Sequence, residues 1–122
     1  MENAKKTLVM GASTQPTRYA YKAIKMLQRY GHPVAAVGKK EDNLDGIKIE
    51  REQVPFDGVD TVTLYLNPMR QKPYYDYIIG LKPKRVLFNP GTENPEFYEL
   101  LRENNIKVEI GCTLVMLATS QY

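Results

Sequence analysis

Short apolar runs alternate with amphipathic stretches along the whole chain. Apolar runs of four to eight residues, rich in β-branched side chains and bounded by turn residues, predict buried strands. The predicted strands cover residues 6–10, 34–37, 59–66, 85–88 and 106–110. The run VAAV at 34–37 is too apolar for a sheet with one solvated face. The segment 39–55 is polar and loop-like, with a further short strand expected at 47–49.

The stretches between the apolar runs have the spacing of helices. In the first, four apolar residues fall at i, i+3, i+4 and i+7, the spacing of one helix face: Ala20, Ala23, Ile24 and Leu27. The sequence Gly31-His32-Pro33 ends this helix, because glycine suits a helix C-terminus and proline cannot continue a helix. Further helices are expected over 69–81 and 94–104, and a closing helix from residue 113 onwards.

This order of elements predicts one domain over residues 1–122. Strands that alternate with helices are typical of an α/β fold, with a parallel sheet and helices on both faces. Right-handed crossovers then favour a single Rossmann-like, doubly wound sheet of about five strands in the order 3-2-1-4-5. In such sheets ligands bind beyond the carboxyl ends of the strands, beside strand one. Residues 11–18 are therefore expected at a binding site.

The segment Gly11-Ala12-Ser13 leaves the first strand and leads into the first helix. Gly11 permits a sharp backbone turn, and the helix N-terminus offers unpaired N–H groups and partial positive charge to a phosphate. Ser13 adds a hydroxyl donor and Arg18 adds a cation. The dinucleotide fingerprint G-x-G-x-x-G is incomplete, because Ser13 and Pro16 stand where its second and third glycines would be.

The second predicted strand ends in Gly38-Lys39-Lys40. An NAD site would have an acidic residue here to bind the ribose 2′-hydroxyl. Two lysines instead favour a ligand with a phosphorylated adenosine ribose, either coenzyme A with its 3′-phosphate or NADP with its 2′-phosphate. A solvated loop is the simpler interpretation of the lysines, and both interpretations stay open.

Composition narrows the class of protein and its partners. The 122 residues are 43% apolar and 25% charged, which is ordinary for a globular domain. The net charge of +3 fits an anionic small molecule but is too weak for a nucleic-acid partner. The chain has no secretory signal and no run long enough to span a bilayer, so a cytoplasmic protein without membrane contact is expected.

No constellation of side chains predicts catalysis or a metal site. One histidine and one cysteine do not make a zinc site. His32 lies in a turn on the edge of the sheet opposite the expected site, and is interpreted as a surface turn residue. Cys112 follows the fifth strand at the carboxyl edge. A buried structural thiol, a reactive thiol and a mixed disulfide with the thiol of coenzyme A are three hypotheses for it.

Several short motifs, taken together, resemble those of a known family. They are Gly11-Ala12-Ser13, Arg18, Gly31, Asn67-Pro68, Asn89-Pro90-Gly91, Asn94 and Gly111-Cys112. Their order and spacing, from about Lys6 to Leu117, resemble the small CoA-binding domain proteins. Those proteins are similar to the N-terminal CoA-binding domain of the succinyl-CoA synthetase alpha subunit.

The resemblance implies that coenzyme A lies across the carboxyl edge of a Rossmann-like sheet. It assigns the phosphates to residues 11–13 with Arg18 nearby, the adenosine phosphate to residues 38–40, and the adenine or pantetheine to residues 66–68. The cofactor-binding residues that it implies are Gly11, Ala12, Ser13, Arg18, Gly38, Lys39, Lys40, Leu66, Asn67, Pro68, Asn89, Pro90 and Gly91.

The sequence departs from the family at some positions. Many relatives have V-N-P where this chain has Val37-Gly38-Lys39, and the synthetase domain that carries the phosphohistidine has no counterpart in these residues. Synthetase chemistry is therefore not expected.

The first hypothesis is a module that binds coenzyme A or an acyl-CoA without catalysis of its own. An NADP-dependent oxidoreductase or redox sensor, and a partner-binding protein with a decayed nucleotide site, are the alternatives. A homo-oligomer or an acyl-CoA enzyme as partner stays open.

Overall fold

The structure, a computed structural model, describes residues 4–122. Strands and helices alternate along it as the hydrophobic pattern predicts, except between residues 34 and 64, where four strands follow one another without a helix. The strands are β1 (Thr7–Ala12), β2 (Val34–Gly38), β3 (Asp42–Leu44), β4 (Ile47–Glu50), β5 (Thr61–Leu64), β6 (Arg85–Phe88) and β7 (Lys107–Ile110). The helices are α1 (Tyr19–Arg29), α2 (Pro68–Gln71), α3 (Tyr75–Leu81), α4 (Pro95–Glu103) and α5 (Thr113–Ala118).

Within residues 4–122 the strands form one seven-stranded sheet in the order β3-β4-β2-β1-β5-β6-β7. Every neighbouring pair is parallel except the β3–β4 hairpin. The predicted order 3-2-1-4-5 is wrong for the strand taken as third, because β5 pairs with β1 rather than with β2. The position outside β2 belongs to β4, where Ile49 pairs with Ala36 and is 1% exposed. A polar segment with a single buried isoleucine gave a weaker strand signal than β5.

Helices cover both faces of the sheet, as predicted. On one face, α1 and α5 pack against Val9, Ala36 and Ile49. The four residues that helical spacing predicted on one face of α1 are all buried: Ala20, Ala23, Ile24 and Leu27. On the other face, α3 and α4 bury Ile78, Phe97 and Leu101 against β1, β5 and β6. Successive strand residues alternate between the two cores, as the pleat requires.

The sequence predicts that the first strand ends before Gly11. In the structure the strand instead runs on to Ala12. Gly11 has φ +89°, and the pairing between β1 and β2 shifts register between Met10 and Ala12. A glycine accepts this positive φ without a Cβ clash. The residue therefore makes a bulge that turns the end of β1 while the strand continues.

The segment predicted as one helix over 69–81 is divided into α2, a one-turn 3-10 helix (Lys72–Tyr74) and α3. Pro73 lies in the 3-10 turn, where its missing N–H and its ring prevent a continuous α-helix. Asn67 caps α2, because its side chain accepts a hydrogen bond from the Arg70 N–H at 3.0 Å. The break separates α2, which follows β5, from α3.

His32 lies at the amino edge of the sheet, opposite the carboxyl ends of β1 and β2, as predicted. It is half-buried rather than a plain surface residue. Its Nδ1 accepts a hydrogen bond from the Lys5 N–H at 2.9 Å, and its ring meets the Tyr122 ring edge-on at 4.9 Å. The Tyr122 carbonyl oxygen accepts from Arg85 at 3.0 Å. His32 therefore helps to close this edge.

Candidate functional site

A cleft of about 1130 Å³ opens at the carboxyl ends of β1, β2 and β5. This is the edge where ligands of open parallel sheets bind. Its volume lies just above the roughly 300–1,000 Å³ range of small-molecule sites, so it suits an extended ligand. The loop after β1, the end of β2 with the β3–β4 hairpin, and the loops after β5 and β6 form its walls.

Two glycines form the floor of the cleft. A Cβ at Gly38 would lie 2.5 Å from the Ala12 carbonyl oxygen and 3.0 Å from Ile49 Cγ2. A Cβ at Gly11 would lie 3.0 Å from the Tyr65 carbonyl oxygen and 3.1 Å from Leu66 Cδ2. Only glycine allows the three strand ends to approach this closely, and the absence of side chains leaves backbone facing a ligand.

The loop between β1 and α1 leaves N–H groups at the start of the helix without side-chain partners. The N-cap residue Arg18 has an extended backbone, makes no capping bond with its side chain, and is followed by no acidic residue in the first turn. The Ser13 hydroxyl accepts from the Gln15 N–H at 3.0 Å, which tightens the loop. An 11-residue helix directs a partial positive charge toward this point, which favours an anion there.

Basic side chains outnumber acidic ones around the cleft. The basic residues are Arg18, Lys39, Lys40 and Arg70, all of them exposed. Asp42 is the one acidic residue among the described residues that line the cleft, and its carboxylate accepts from the Thr14 hydroxyl at 3.2 Å. The positive charges are distributed along the length of the cleft, which suits a ligand with separated anionic groups.

The cleft offers binding groups in preference to proton-transfer groups. The residues that line it within 4–122 include no histidine and no cysteine. Burial raises the pKa of the Tyr65 phenol to about 12, so this side chain stays protonated at neutral pH. No group of three or more potential metal ligands occurs among the described residues. The cations and backbone N–H groups of the lining favour anions, and its apolar side chains favour uncharged groups.

The structure brings most of the predicted site residues together in this cleft. Those that line it are Gly11, Ala12, Ser13, Arg18, Gly38, Lys39, Lys40, Leu66, Asn67, Pro90 and Gly91. Asn89 does not line it, because its amide is buried and committed to the Thr63 hydroxyl, the Leu64 carbonyl oxygen and the Thr113 N–H. Pro68 begins α2 and faces a separate shallow groove of about 260 Å³.

Sequence reasoning missed several residues of the cleft at its β5–β6 end. Met69, Arg70, Pro73, Tyr74 and Thr92 line this part. Behind them, Gln71 is fully buried; its side-chain amide donates to the Leu66 and Thr92 carbonyl oxygens at 2.8 Å each. The only signal in the sequence was the proximity of these residues to the ends of predicted strands. A polar run such as MRQK does not reveal which side chain turns inward.

Cys112 is half-buried and is the N-cap residue of α5. It lies at the carboxyl edge, as expected, but it does not line the cleft. Its neighbour Thr113 is buried and its hydroxyl shares a hydrogen bond of 2.8 Å with that of Thr63. The structure does not distinguish between the three hypotheses for the Cys112 thiol.

The sheet order, the bulge at Gly11 and the cleft at the carboxyl edge define a Rossmann-like α/β protein with an open cleft beside β1. The model of the CoA-binding domain family matches residues 5–118. The chain therefore belongs to the CoA-binding domain family.

Solved structures agree with this fold. An uncharacterised protein whose crystal structure is known is 51% identical, with a TM-score of 0.95 and 98% of each chain covered. A hypothetical protein from Pyrococcus horikoshii OT3 is 24% identical, with a TM-score of 0.86 over 98% of this chain and 85% of that chain. A Thermus thermophilus protein is 22% identical, with a TM-score of 0.87 over 99% and 92%. No curated protein matches the chain.

The described helices are all too short or too polar to cross a bilayer.

Proposed function

We propose that the protein binds coenzyme A or an acyl-CoA in the cleft at the carboxyl ends of β1, β2 and β5. The observation that carries the proposal is the meeting, in one cleft, of the Gly11 bulge, the uncapped start of α1 and the Lys39-Lys40 pair. Membership of the CoA-binding domain family supports coenzyme A as the ligand.

The separated charges of the cleft match those of coenzyme A. In this proposal the pyrophosphate lies against the Gly11–Ser13 backbone and the start of α1, with Arg18 beside it. The 3′-phosphate of the ribose lies near Lys39 and Lys40, which follow β2 and are exposed. The pantetheine arm then extends across the end of β5 toward Leu66 and Asn67.

Substitution of the two cations tests these positions. We expect Arg18→Ala and Lys39→Ala each to weaken the binding of coenzyme A by about 1–3 kcal/mol, because each removes a charge-assisted hydrogen bond to a phosphate. The measurement is calorimetric titration. Arg29→Ala, at the other end of α1, and Lys48→Ala, on β4, are matched controls that remove a positive charge outside the cleft. Losses equal to those of the controls would contradict the proposed positions.

A second candidate ligand is NADP, and the lysine pair favours it for the same reason, since its 2′-phosphate is also on the adenosine ribose. Titration with coenzyme A, dephospho-CoA, NADP and NAD separates the two ligands. The proposal predicts tight binding of coenzyme A and binding of dephospho-CoA about tenfold weaker or more, because one phosphate contact is lost. Preferential binding of NADP would support a redox protein instead.

A further inference from the structure

Arg70 lies at the β5–β6 end of the cleft, across β1 from the lysine pair. Lys39 and Lys40 follow β2, on one side of β1, whereas Arg70 is on α2 after β5, on the other side of β1. If the ribose phosphate lies at the lysines and the pyrophosphate at the start of α1, the pantetheine arm continues past β1 toward the β5–β6 end of the cleft, where Arg70 lies. This reasoning rests on the proposed function.

The Arg70 guanidinium is exposed and forms no ion pair or side-chain hydrogen bond with the part of the chain from 4 to 122. The Glu96 carboxylate, in the first turn of α4, meets Lys72 at 4.0 Å and the Tyr75 hydroxyl at 3.0 Å rather than Arg70. Arg70 therefore carries an uncompensated charge into the cleft.

The backbone that carries Arg70 is held from two sides. Its N–H donates to Asn67 Oδ1 at 3.0 Å, which fixes the first turn of α2. The next residue, Gln71, ties α2 to the Leu66 and Thr92 carbonyl oxygens and accepts from the Asn94 amide at 2.9 Å. A cation on a fixed backbone loses less entropy when it binds than one on a mobile loop.

The other side chains at the β5–β6 end of the cleft do not explain why a cation is present there. Met69 is 86% exposed, and Pro73 and Tyr74 complete a mostly apolar wall. The pantetheine arm is uncharged, so neither its amides nor its thiol explains an unpaired arginine. A carboxylate on the acyl group would pair with a planar guanidinium through two parallel hydrogen bonds.

We propose that this cleft prefers CoA thioesters whose acyl group ends in a carboxylate, and that Arg70 binds that carboxylate. The ligand class is a dicarboxylic acid joined to coenzyme A through one of its two carboxyl groups. Arg70 is then a specificity-determining residue, separate from the residues that hold the nucleotide.

Paired ligands that differ only in the terminal group test the proposal by calorimetry. Succinyl-CoA and butyryl-CoA have the same number of acyl carbons, and S-carboxyethyl-CoA and S-propyl-CoA are a stable thioether pair. We expect the carboxylate member of each pair to bind about five- to tenfold more tightly, the size of one charge-assisted contact. Arg70→Gln should reduce this ratio to about one, Arg70→Lys should keep part of it, and Arg102→Gln, outside the cleft, should leave it unchanged.

The binding of unmodified coenzyme A distinguishes the ways in which the proposal can fail. Arg70→Gln should weaken the binding of unmodified coenzyme A by much less than that of succinyl-CoA, since Arg70 is assigned to the carboxylate of the acyl group. Tight binding of coenzyme A without preference within either pair would overturn the acyl specificity and leave the proposed function standing. An equal loss for all ligands in Arg70→Gln would show that Arg70 contacts coenzyme A itself and would also overturn the specificity. Absence of binding by every CoA compound would overturn both proposals.

Discussion

At the scale of single residues, the cleft depends on glycines, which have no side chain, and on a buried side chain whose polar groups are hydrogen-bonded within the protein. Gly38 lets the end of β2 approach Ala12, and Gly11 turns the end of β1 at a positive φ. Asn89, by contrast, uses its amide to join β5, β6 and the start of α5 beneath the cleft. These residues shape the site by fixing the positions of the strand ends and loops around it.

The close contact at Gly38 predicts a loss of stability on addition of one methyl group. Gly38→Ala should lower the free energy of unfolding by about 1–3 kcal/mol, because a Cβ 2.5 Å from the Ala12 carbonyl oxygen forces the strands apart. Denaturation in urea measures this change. Gly80→Ala is the matched control: nothing lies within 4 Å of its Cβ, and alanine should stabilise α3 by about 0.5–1 kcal/mol. Equal effects at both glycines would contradict the account of Gly38.

Asn89 gives a second residue-scale prediction. Asn89→Ala leaves the Leu64 carbonyl oxygen and the Thr113 N–H without this partner. The free energy of unfolding should fall by about 1–3 kcal/mol for each of these groups that stays unpaired. Thermal and urea unfolding provide the measurement. Asn104→Ala removes one hydrogen bond from an exposed asparagine at the end of α4 and should change stability by less than about 0.5 kcal/mol. An Asn89 variant as stable as this control would show that the network contributes little.

At the scale of elements, the cleft is built from loops that are tied to one another. Gln71 joins the loop after β5 to the loop after β6, and Asn94 continues the link to the start of α4. A buried amide with all its partners in place fixes the relative position of the two loops. The β5–β6 end of the cleft is therefore formed before a ligand arrives.

Loss of the Gln71 amide should loosen both loops together. Gln71→Met keeps the length of the side chain but leaves two buried carbonyl oxygens without this donor, so the free energy of unfolding should fall by about 1–3 kcal/mol. Hydrogen exchange should become faster at residues 66–71 and 89–94 while the amides of β1 keep their protection. Gln53→Met, at an exposed glutamine, should change neither the free energy of unfolding nor the hydrogen exchange of the two loops. Unaltered exchange in both loops of the Gln71 variant would contradict the link.

The elements also show how far the sequence predicts this fold and where it does not. The buried face of α1, with Ile24 and Leu27, follows from helical spacing alone. The order of the sheet does not, because the short segment around Ile49 and the longer apolar run at 59–66 both satisfy the strand pattern, and only long-range pairing decides which lies beside β2. Arg70 was missed because one arginine after a strand has no local pattern. Its place in the cleft depends on Pro73 breaking the helix and on Gln71 turning inward.

At the scale of the whole molecule, the two edges of the sheet have different roles. The carboxyl edge is open, glycine-lined and basic. The amino edge is closed by His32, Tyr122 and Arg85, which cover the starts of the central strands. The proposed binding cleft and the closed edge thus lie at opposite ends of the same strands.

Closure of the amino edge predicts a dependence of stability on pH. Burial lowers the pKa of His32 below its ordinary value of 6.5, with the nearby Lys5 and Arg85 charges acting in the same direction. The unfolded chain therefore binds the proton more readily than the folded protein. The His32 contribution to stability is present above pH 6.5 and is lost as pH falls through the lower, folded-state pKa. Urea unfolding between pH 7.5 and 5.5 should show this decrease.

His32→Asn is the control for this titration, because the Asn side chain can still accept from the Lys5 N–H but does not titrate. The chain has one histidine, so the variant should lose the decrease in unfolding free energy between pH 7.5 and 5.5. A decrease of the same size in the variant would assign the pH dependence to other groups.

The central claim is that coenzyme A binds at the carboxyl edge, and an NMR titration of ¹⁵N-labelled protein tests it most directly. Addition of coenzyme A should shift the amide signals of residues 11–13, 19–21, 38–40 and 66–70. The signals of His32 and Tyr122, at the amino edge, should stay in place. Shifts confined to the amino edge, or no shifts at millimolar coenzyme A, would contradict the account.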